Sequence, residues 1–221
     1  MVGQSVLREC LLDPDIETVL TVGRSATGVR EAKLVEIVQP DLFHYFNIEA
    51  ELSGFDACFF CLGVSSAGMS ERDYEHLTYA LTLAAAETLV QLNPGMTFVY
   101  VSGAGTDSSE KGRVMWARVK GKTENSLLRL PFRAAYMFRP GVIQPVHGAR
   151  SKTTAYRFGY ALAKPVLPLL RRLFPRYILT TEEIGRAMIQ VAKRGAPKNI
   201  LESWDIRDCA LASSGVRTTA R

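Results

Sequence analysis

Short runs of β-forming residues alternate along this chain with longer runs whose apolar positions recur at helical spacing, and no other feature constrains the fold as much. Ile16–Val22 alternates and is rich in branched residues, so it predicts a strand. Leu34–Val38 predicts a second, ended by Pro40. Ala57–Leu62 is a continuous apolar run of strand length, the pattern of a strand buried on both faces. Thr97–Val101 and Ala134–Phe138 predict two more, the last followed by the turn Arg139-Pro140-Gly141. Helices are predicted from Val2 to about Leu12, and from Ser70, a capping residue, to Leu92. The inward stripe of the second is Tyr74, Leu77, Leu81, Ala84, Thr88 and Leu92. Further helices cover about Gly112 to Leu130, about Thr154 to Leu173 with interruptions at Pro165 and Pro168, and Thr181 to Arg194. Parallel strands need long crossovers and helices supply them, so the pattern predicts an α/β fold with a parallel sheet and helices on both faces.

Composition narrows the class. The 221 residues form one domain, with about 143–221 as its C-terminal, substrate-side or lid portion. An apolar share of 47% excludes global disorder, and four cysteines without framework spacing exclude a disulfide scaffold. The apolar stretches are broken well short of the roughly 18 residues a spanning helix needs. Met1-Val2-Gly3-Gln4 is not the start of a secretory signal, so the expected location is reducing and cytoplasmic. Lys plus Arg is 27 against 22 for Asp plus Glu, a net charge of +5. Much of the excess sits at Arg171, Arg172 and Arg176 and at Arg217 and Arg221, and reads as a solvated face. No nucleic-acid-binding motif is present, so no specific nucleic-acid partner is expected. Arg157–Tyr177 is apolar and basic with three prolines; it reads as a lid or core element, with a membrane-surface helix as the alternative.

Ligands on open parallel sheets bind at the carboxyl ends of the strands. That rule directs attention to Gly23-Arg24, Gln39-Pro40-Asp41, Gly63-Val64-Ser65, Ser102-Gly103 and Pro140-Gly141. Leu62-Gly63 lets the backbone pass close to a flat ligand. Ser102 ends its strand in Tyr100-Val101-Ser102-Gly103-Ala104-Gly105, which is expected to place a hydroxyl at the crevice. Lys120 lies one helix later, four residues after Trp116 and therefore on the same helix face. Alone, Ser102 reads as a turn serine and Lys120 as a surface lysine; together they form a more specific pair. Cys58 and Cys61 have redox-motif spacing, but inside a strand their side chains face opposite ways, so they read as small buried hydrophobes. His44, His76 and His147 lack metal-ligand spacing, and no metal is expected. Ser102 is not a nucleophile elbow, because Tyr100 stands where the first glycine belongs.

Over essentially its whole length the chain resembles the short-chain dehydrogenase/reductases, in their atypical, epimerase-like branch, and within it the Tat-interacting-protein-like oxidoreductases. The likeness is carried by Ala57–Gly63, Val101-Ser102, Val119-Lys120-Gly121 and Phe138-Arg139-Pro140-Gly141-Val142. It implies a Rossmann-type, doubly wound sheet holding NADP(H) or NAD(H), an unidentified small-molecule substrate, and a catalytic Ser, Tyr and Lys, the last two spaced Tyr-x-x-x-Lys. Ser102 and Lys120 match the serine and the lysine, and Lys120 would also hold the nicotinamide ribose. By the same likeness Asp41 and Leu42 flank adenine, Cys61, Leu62 and Gly63 line the adenosine side, and Pro140, Gly141 and Val142 lie near the nicotinamide.

Two departures matter. Counting back four from Lys120 gives Trp116, whose indole only donates and does not titrate usefully. A positioned acid is worth roughly 10²- to 10⁴-fold, so carbonyl reduction is expected to be impaired. Second, Met1-Val2-Gly3 looks like the last three residues of Gly-x-x-Gly-x-x-Gly, leaving Gly3 as the one matching glycine. The first strand and most of the glycine-rich loop are then expected upstream, with Met1 an internal methionine. Losing a central strand removes ~8–10 ladder hydrogen bonds at ~1 kcal/mol each, comparable with a whole domain's ~5–15 kcal/mol. Arg24 and Ser25, after the second strand of such folds, suit a 2′-phosphate, so NADP(H) is favoured over NAD(H). The chain therefore reads as an NADP(H)-dependent oxidoreductase or epimerase-like enzyme; the alternative is a catalytically silent dinucleotide-binding protein that acts through a protein partner.

Overall fold

A computed structural model of the chain describes residues 1–148 and 177–213. The helix expected over 154–173 and nearly all of the apolar, basic segment 157–177 lie outside the described residues. The chain opens with α1 (Val2–Leu12), then β1 (Val19–Gly23) and β2 (Leu34–Val38). A 3-10 turn, Phe46–Ile48, leads into α2 (Glu49–Leu52), followed by β3 (Ala57–Phe60). Next come α3 (Glu71–Glu75), a π-helical turn (His76–Ala80), α4 (Leu81–Leu92), β4 (Thr97–Val101), α5 (Met115–Arg129) and β5 (Ala134–Arg139). The described remainder is β6 (Val142–Gln144), β7 (Ile178–Thr180), α6 (Thr181–Arg194), β8 (Ile200–Glu202) and α7 (Ser203–Ser213).

Every strand pair among the described residues is parallel. The sheets run β1-β2, β3-β4-β5-β8 and β6-β7. The centre is β4, where Phe98 and Val99 are fully buried. Alternation along that strand feeds two cores. Val99 joins Val6 and Cys10 of α1, Ile184 and Met188 of α6 and Ile206 of α7 on one face. Phe98 and Tyr100 join Leu52 of α2, Ala85 and Ala86 of α4 and Leu127 of α5 on the other. The architecture is an α/β parallel sheet flanked by helices, as the sequence predicts.

The differences have local causes. The first strand starts at Val19 rather than Ile16, and β3 ends at Phe60 rather than Leu62. In β3 only Phe60 is fully buried, because the strand has no hydrogen-bonded neighbour opposite β4. Ser70 caps α3 as expected, its Oγ accepting from Asp73 N at 3.2 Å. The buried stripe of that helix runs through Tyr74, Thr78, Thr82, Ala85, Ala86 and Val90. Leu81, Ala84 and Leu92 of the expected stripe pack against the core, but at the π-turn, which inserts one residue, Thr78 is buried in place of Leu77. At α6 a capping box closes the first turn: Thr180 Oγ1 accepts from Glu183 N at 3.0 Å, and Glu183 Oε2 accepts from Thr180 N at 2.7 Å.

Candidate functional site

The carboxyl ends of β4 and β5 are tied together beyond the strands. Ser102 N donates to Phe138 O at 2.8 Å and Ala104 N to Pro140 O at 3.0 Å. The Ser102 hydroxyl, expected to face the crevice, turns inward instead: it lies 2.5 Å from Glu124 Oε1 and 3.1 Å from Phe138 O. The cause is a buried charge. Glu124, on α5, is fully buried and must be satisfied by donors. Arg139 supplies them, through Nε at 3.0 Å and through Nη2. Nη2 of Arg139 also donates to Ser108 Oγ at 2.5 Å, and Nη1 reaches Glu202 at 3.4 Å. Burial works against the Arg139 charge, but Glu124 outweighs it and holds the guanidinium above its ordinary pKa.

Lys120 and Trp116 both reach the segment after β4. Lys120 Nζ lies 3.5 Å from Val101 O and 5.4 Å from the centre of the Tyr100 ring. Burial pushes its pKa down to about 8, with partial opposition from Glu124. Trp116 packs on Gly105, where a Cβ would stand 3.6 Å from the indole. The Val119-Lys120-Gly121 motif has a steric basis: a Cβ on Gly121 would fall 1.8 Å from Asp107 O. That glycine lets the loop after β4 lie directly on α5, where Asp107 N donates to Ala117 O at 3.1 Å. The Asp107 carboxylate then organises the loop, accepting from Ser109 Oγ at 2.6 Å and Gly112 N at 2.6 Å, which lower its pKa. Tyr79 points elsewhere; its hydroxyl is 3.3 Å from Ser126 Oγ.

The other predicted residues sit at neighbouring strand ends. Arg24 and Ser25 are exposed just past β1. Asp41, past β2, accepts from His44 Nδ1 at 2.7 Å and Phe43 N at 2.8 Å, and both hold its carboxyl below the ordinary range. Leu42, expected beside Asp41 against a ligand, is packed and only 5% exposed. Gly3 brings the first turn of α1 onto the end of β3, where a Cβ would stand 3.3 Å from Cys61 Cβ. Leu62 and Gly63 are exposed beyond it. Cys58 and Cys61 join opposite cores, and burial raises both thiols to about 12, as suits small hydrophobes. Pro140 is buried; Gly141 N donates to Ser203 Oγ at 2.8 Å. Val142 is exposed, as are Tyr177 and Trp204, whose rings meet edge-on at 6.4 Å.

Thus Ser102, Trp116, Lys120 and Pro140–Val142 gather at the ends of β4 and β5, Gly3 meets Cys61, and Arg24 and Asp41 end adjacent strands. Sequence reasoning missed Glu124 and Arg139. The one available signal was spacing: Glu124 lies one helical turn after Lys120, and Arg139 falls inside Phe138–Val142.

No protein-family model matches the chain. Protein FMP52-2, mitochondrial, of Scheffersomyces stipitis is 28% identical over 144 residues, 64% of this chain and 61% of that protein. The chain thus spans under two thirds of that relative. Protein FMP52, mitochondrial, of Meyerozyma guilliermondii is 28% identical over 200 residues, covering 87% of this chain and 81% of the relative. A UDP-N-acetylglucosamine 4-epimerase from Methanobrevibacter ruminantium M1 superposes with a TM-score of 0.63 at 13% identity, covering 91% of this chain and 72% of its own. An oxidoreductase of the short-chain dehydrogenase/reductase family from Burkholderia thailandensis gives 0.61 at 16% identity, with 93% and 88% covered. The Bordetella bronchiseptica enzyme WbmF, solved in complex with NAD+, gives 0.63 at 13% identity, with 98% and 76% covered. The fold is the Rossmann-type α/β fold of these enzymes. The expected cytoplasmic location is corrected by the same comparisons, because the curated relatives are all named as mitochondrial proteins. A location outside the cytoplasm leaves no trace in a fold or in motifs that read only cofactor chemistry.

Proposed function

We propose that this chain is an NADP(H)-binding protein of the short-chain dehydrogenase/reductase type, an oxidoreductase or epimerase-like protein whose carbonyl reduction is weak, and that it works in mitochondria. The observation that carries the reading is Trp116 on α5, one helical turn before the partly buried Lys120, its indole packed against Gly105 of the loop that follows Ser102. When bound, the reduced cofactor supplies a hydride to a carbonyl carbon; the protein must deliver a proton to the carbonyl oxygen. Indole cannot do that at useful rates.

The residues present fit such a dinucleotide. The exposed Arg24 and Ser25 offer charge and a hydroxyl to a 2′-phosphate. Gly3 and the first turn of α1 bring backbone donors to the end of β3, beside Leu62 and Gly63. Lys120 offers an ammonium to a ribose hydroxyl, and Gly141 and Val142 an open wall past β5. The exposed Tyr177 and Trp204 support placing the substrate side on the C-terminal portion, about residues 143–221.

A second reading, a catalytically silent dinucleotide-binding protein acting through a protein partner, is favoured by the Ser102 hydroxyl, which lies within hydrogen-bond distance of two groups of this chain, Glu124 Oε1 and Phe138 O. Titration of the chain with NADPH and NADH, followed by cofactor oxidation against a panel of aldehydes and ketones, tests both. Tighter NADPH binding with slow but measurable turnover supports the first reading, and binding with none supports the second. Absence of binding to either cofactor overturns both.

A further inference from the structure

At the amino end of the sheet a recess of about 200 Å³ opens between the first residues of β4 and β5 and the last turn of α6. Thr97, Arg133 and Tyr136 form its sheet side, and Val191–Gly195 its helix side. Ser102 lies five residues along β4 from Thr97, roughly 16 Å of strand, so the recess is separate from the proposed cofactor end. Gly195 shapes it. Its φ of 74° ends α6 in a conformation that favours glycine, and a Cβ there would stand 3.1 Å from the Tyr136 hydroxyl. Tyr136 is 7% exposed, and its oxygen accepts from Ala196 N at 3.1 Å. Thr97 is 1% exposed, and its Oγ1 accepts from Arg133 Nη2 at 2.8 Å. The same nitrogen reaches Ala192 O at 3.3 Å, so one corner of the guanidinium is pinned between β4 and α6.

The groups left over are donors. Among the described residues the Tyr136 proton and the Nε and Nη1 of Arg133 have no acceptor. No carboxylate lines the recess. Lys193 is neutralised by Asp13 and Asp15, each at 2.7 Å, which leaves the guanidinia of Arg133 and Arg194. Asp15 also feels the charge of Arg194, but its contact is with Lys193. The carbonyls that end α6 oppose an anion. They are already engaged: Val191 O accepts from Gly195 N at 2.9 Å, and Ala192 O from Arg133. A cation would leave every one of these donors unfilled, whereas an oxyanion accepts from all of them. We propose that the recess is a second ligand site, which takes a small oxyanion of the phosphate class on Arg133, Arg194 and the Tyr136 hydroxyl. A guanidinium fork matches two oxygens of a phosphate or a phosphate ester. The volume is below the ~300–1,000 Å³ of sites that enclose whole small molecules, so the phosphoryl group is held and any organic part points outward. The bound anion ties the start of the sheet to the end of α6. This inference goes beyond the cofactor reading and does not rest on it.

Titration of the chain with inorganic phosphate tests it, at constant ionic strength with chloride in the reference, read by heat of binding and by the thermal midpoint. Saturable binding that raises the midpoint is expected. Arg133→Gln and Arg194→Gln should each weaken that binding by ~10-fold or more. Arg133→Lys, which keeps the charge without the fork, should recover only part of the loss. Arg24→Ala should leave phosphate binding as it is. A response that does not saturate, or binding that survives both glutamine variants, overturns the proposal. So does loss of binding on Arg24→Ala, because the phosphate would then sit at the cofactor end. Where Arg133→Gln lowers the midpoint by itself, the heat of binding to Arg194→Gln decides. Two further probes tell the sources of the phosphate apart. Competition by glycerol 3-phosphate identifies a soluble ester. Sedimentation with phosphatidylcholine vesicles that carry phosphatidic acid, lost on Arg133→Gln, identifies a lipid headgroup. NADPH titration of Arg133→Gln should match the parent, so failure of the cofactor reading and failure of this site are read separately.

Discussion

The ends of β4 and β5 and the ends of β1 and β2 are built on opposite principles. The first is closed and cross-braced: Glu124 and Arg139 are buried together, Ser102 and Ser108 are drawn into their hydrogen bonds, and the loop after β4 rests on Gly121. The second is open: Arg24 and Ser25 are exposed, and Asp41 is held only by its own turn. A braced site holds its geometry before any ligand arrives; an open one contributes mainly charge and takes its geometry from the ligand. The contrast also separates what a substitution costs. In the braced region it is felt as stability, and in the open one as affinity.

The largest expected effect breaks the braced region. Glu124→Ala leaves the buried Arg139 guanidinium with only Ser108 and the longer contact to Glu202 and should cost about 3 kcal/mol of stability, read as a lowered denaturation midpoint. Replacing Glu124 and Arg139 together with apolar residues should recover part of that loss. A single substitution within ~0.5 kcal/mol of the parent would show the pair to be less buried than described. Next, Trp116→Tyr should raise NADPH-dependent reduction of simple carbonyls by ~10²-fold. The gain belongs at the lower end of the usual range because Ser102 remains committed to Glu124. Turnover that falls on this change would move the proton donor elsewhere, with Tyr74 and Ser65 to examine.

The open region answers in binding. Arg24→Ala should remove ~1.5–3 kcal/mol from NADPH affinity while sparing NADH, checked by parallel titrations. Equal loss for both cofactors would place Arg24 away from the 2′ position. The smallest effect sharpens the comparison by pH. Lys120 titrates at about 8 in the folded chain against 10.5 for an ordinary lysine. Between those values the unfolded chain binds the extra proton, so stability from this group rises as pH rises from about 8 to 10.5. Below that window the buried charge is a standing cost. Lys120→Met should flatten this slope; an unchanged slope in a pH series of denaturation curves would assign it to other groups.

Much of the braced region's scaffold was legible because strand and helix periods are local signals. The apolar runs at Thr97–Val101 and Ala134–Phe138 and the helix from Thr181 are found within a few residues of where they are expected. The rest depended on distance or on single residues. Glu124 and Arg139 are 15 residues apart and meet only through the packing of α5 on β5. The three residues of β8 have no period of their own and form a strand because β5 offers an edge. The π-turn is one extra residue, invisible to a helical template yet enough to exchange Leu77 for Thr78 in the buried stripe. At the site, residue types and spacing named Ser102 and Lys120 but not their protons. Which way a hydroxyl points is set by its neighbours in space.

The two tryptophans have a practical consequence. Trp116, on α5, lays its indole against the loop past β4 and Trp204 stands in the first turn of α7 just past β8, so the chain's whole indole complement stands at one rim of the sheet. Reduced nicotinamide absorbs where indole emits. The protein therefore carries its own optical probe at the place where a ligand would sit, and energy transfer from two fixed emitters on either side of β5 would report not only that something has bound but towards which side of that strand it lies.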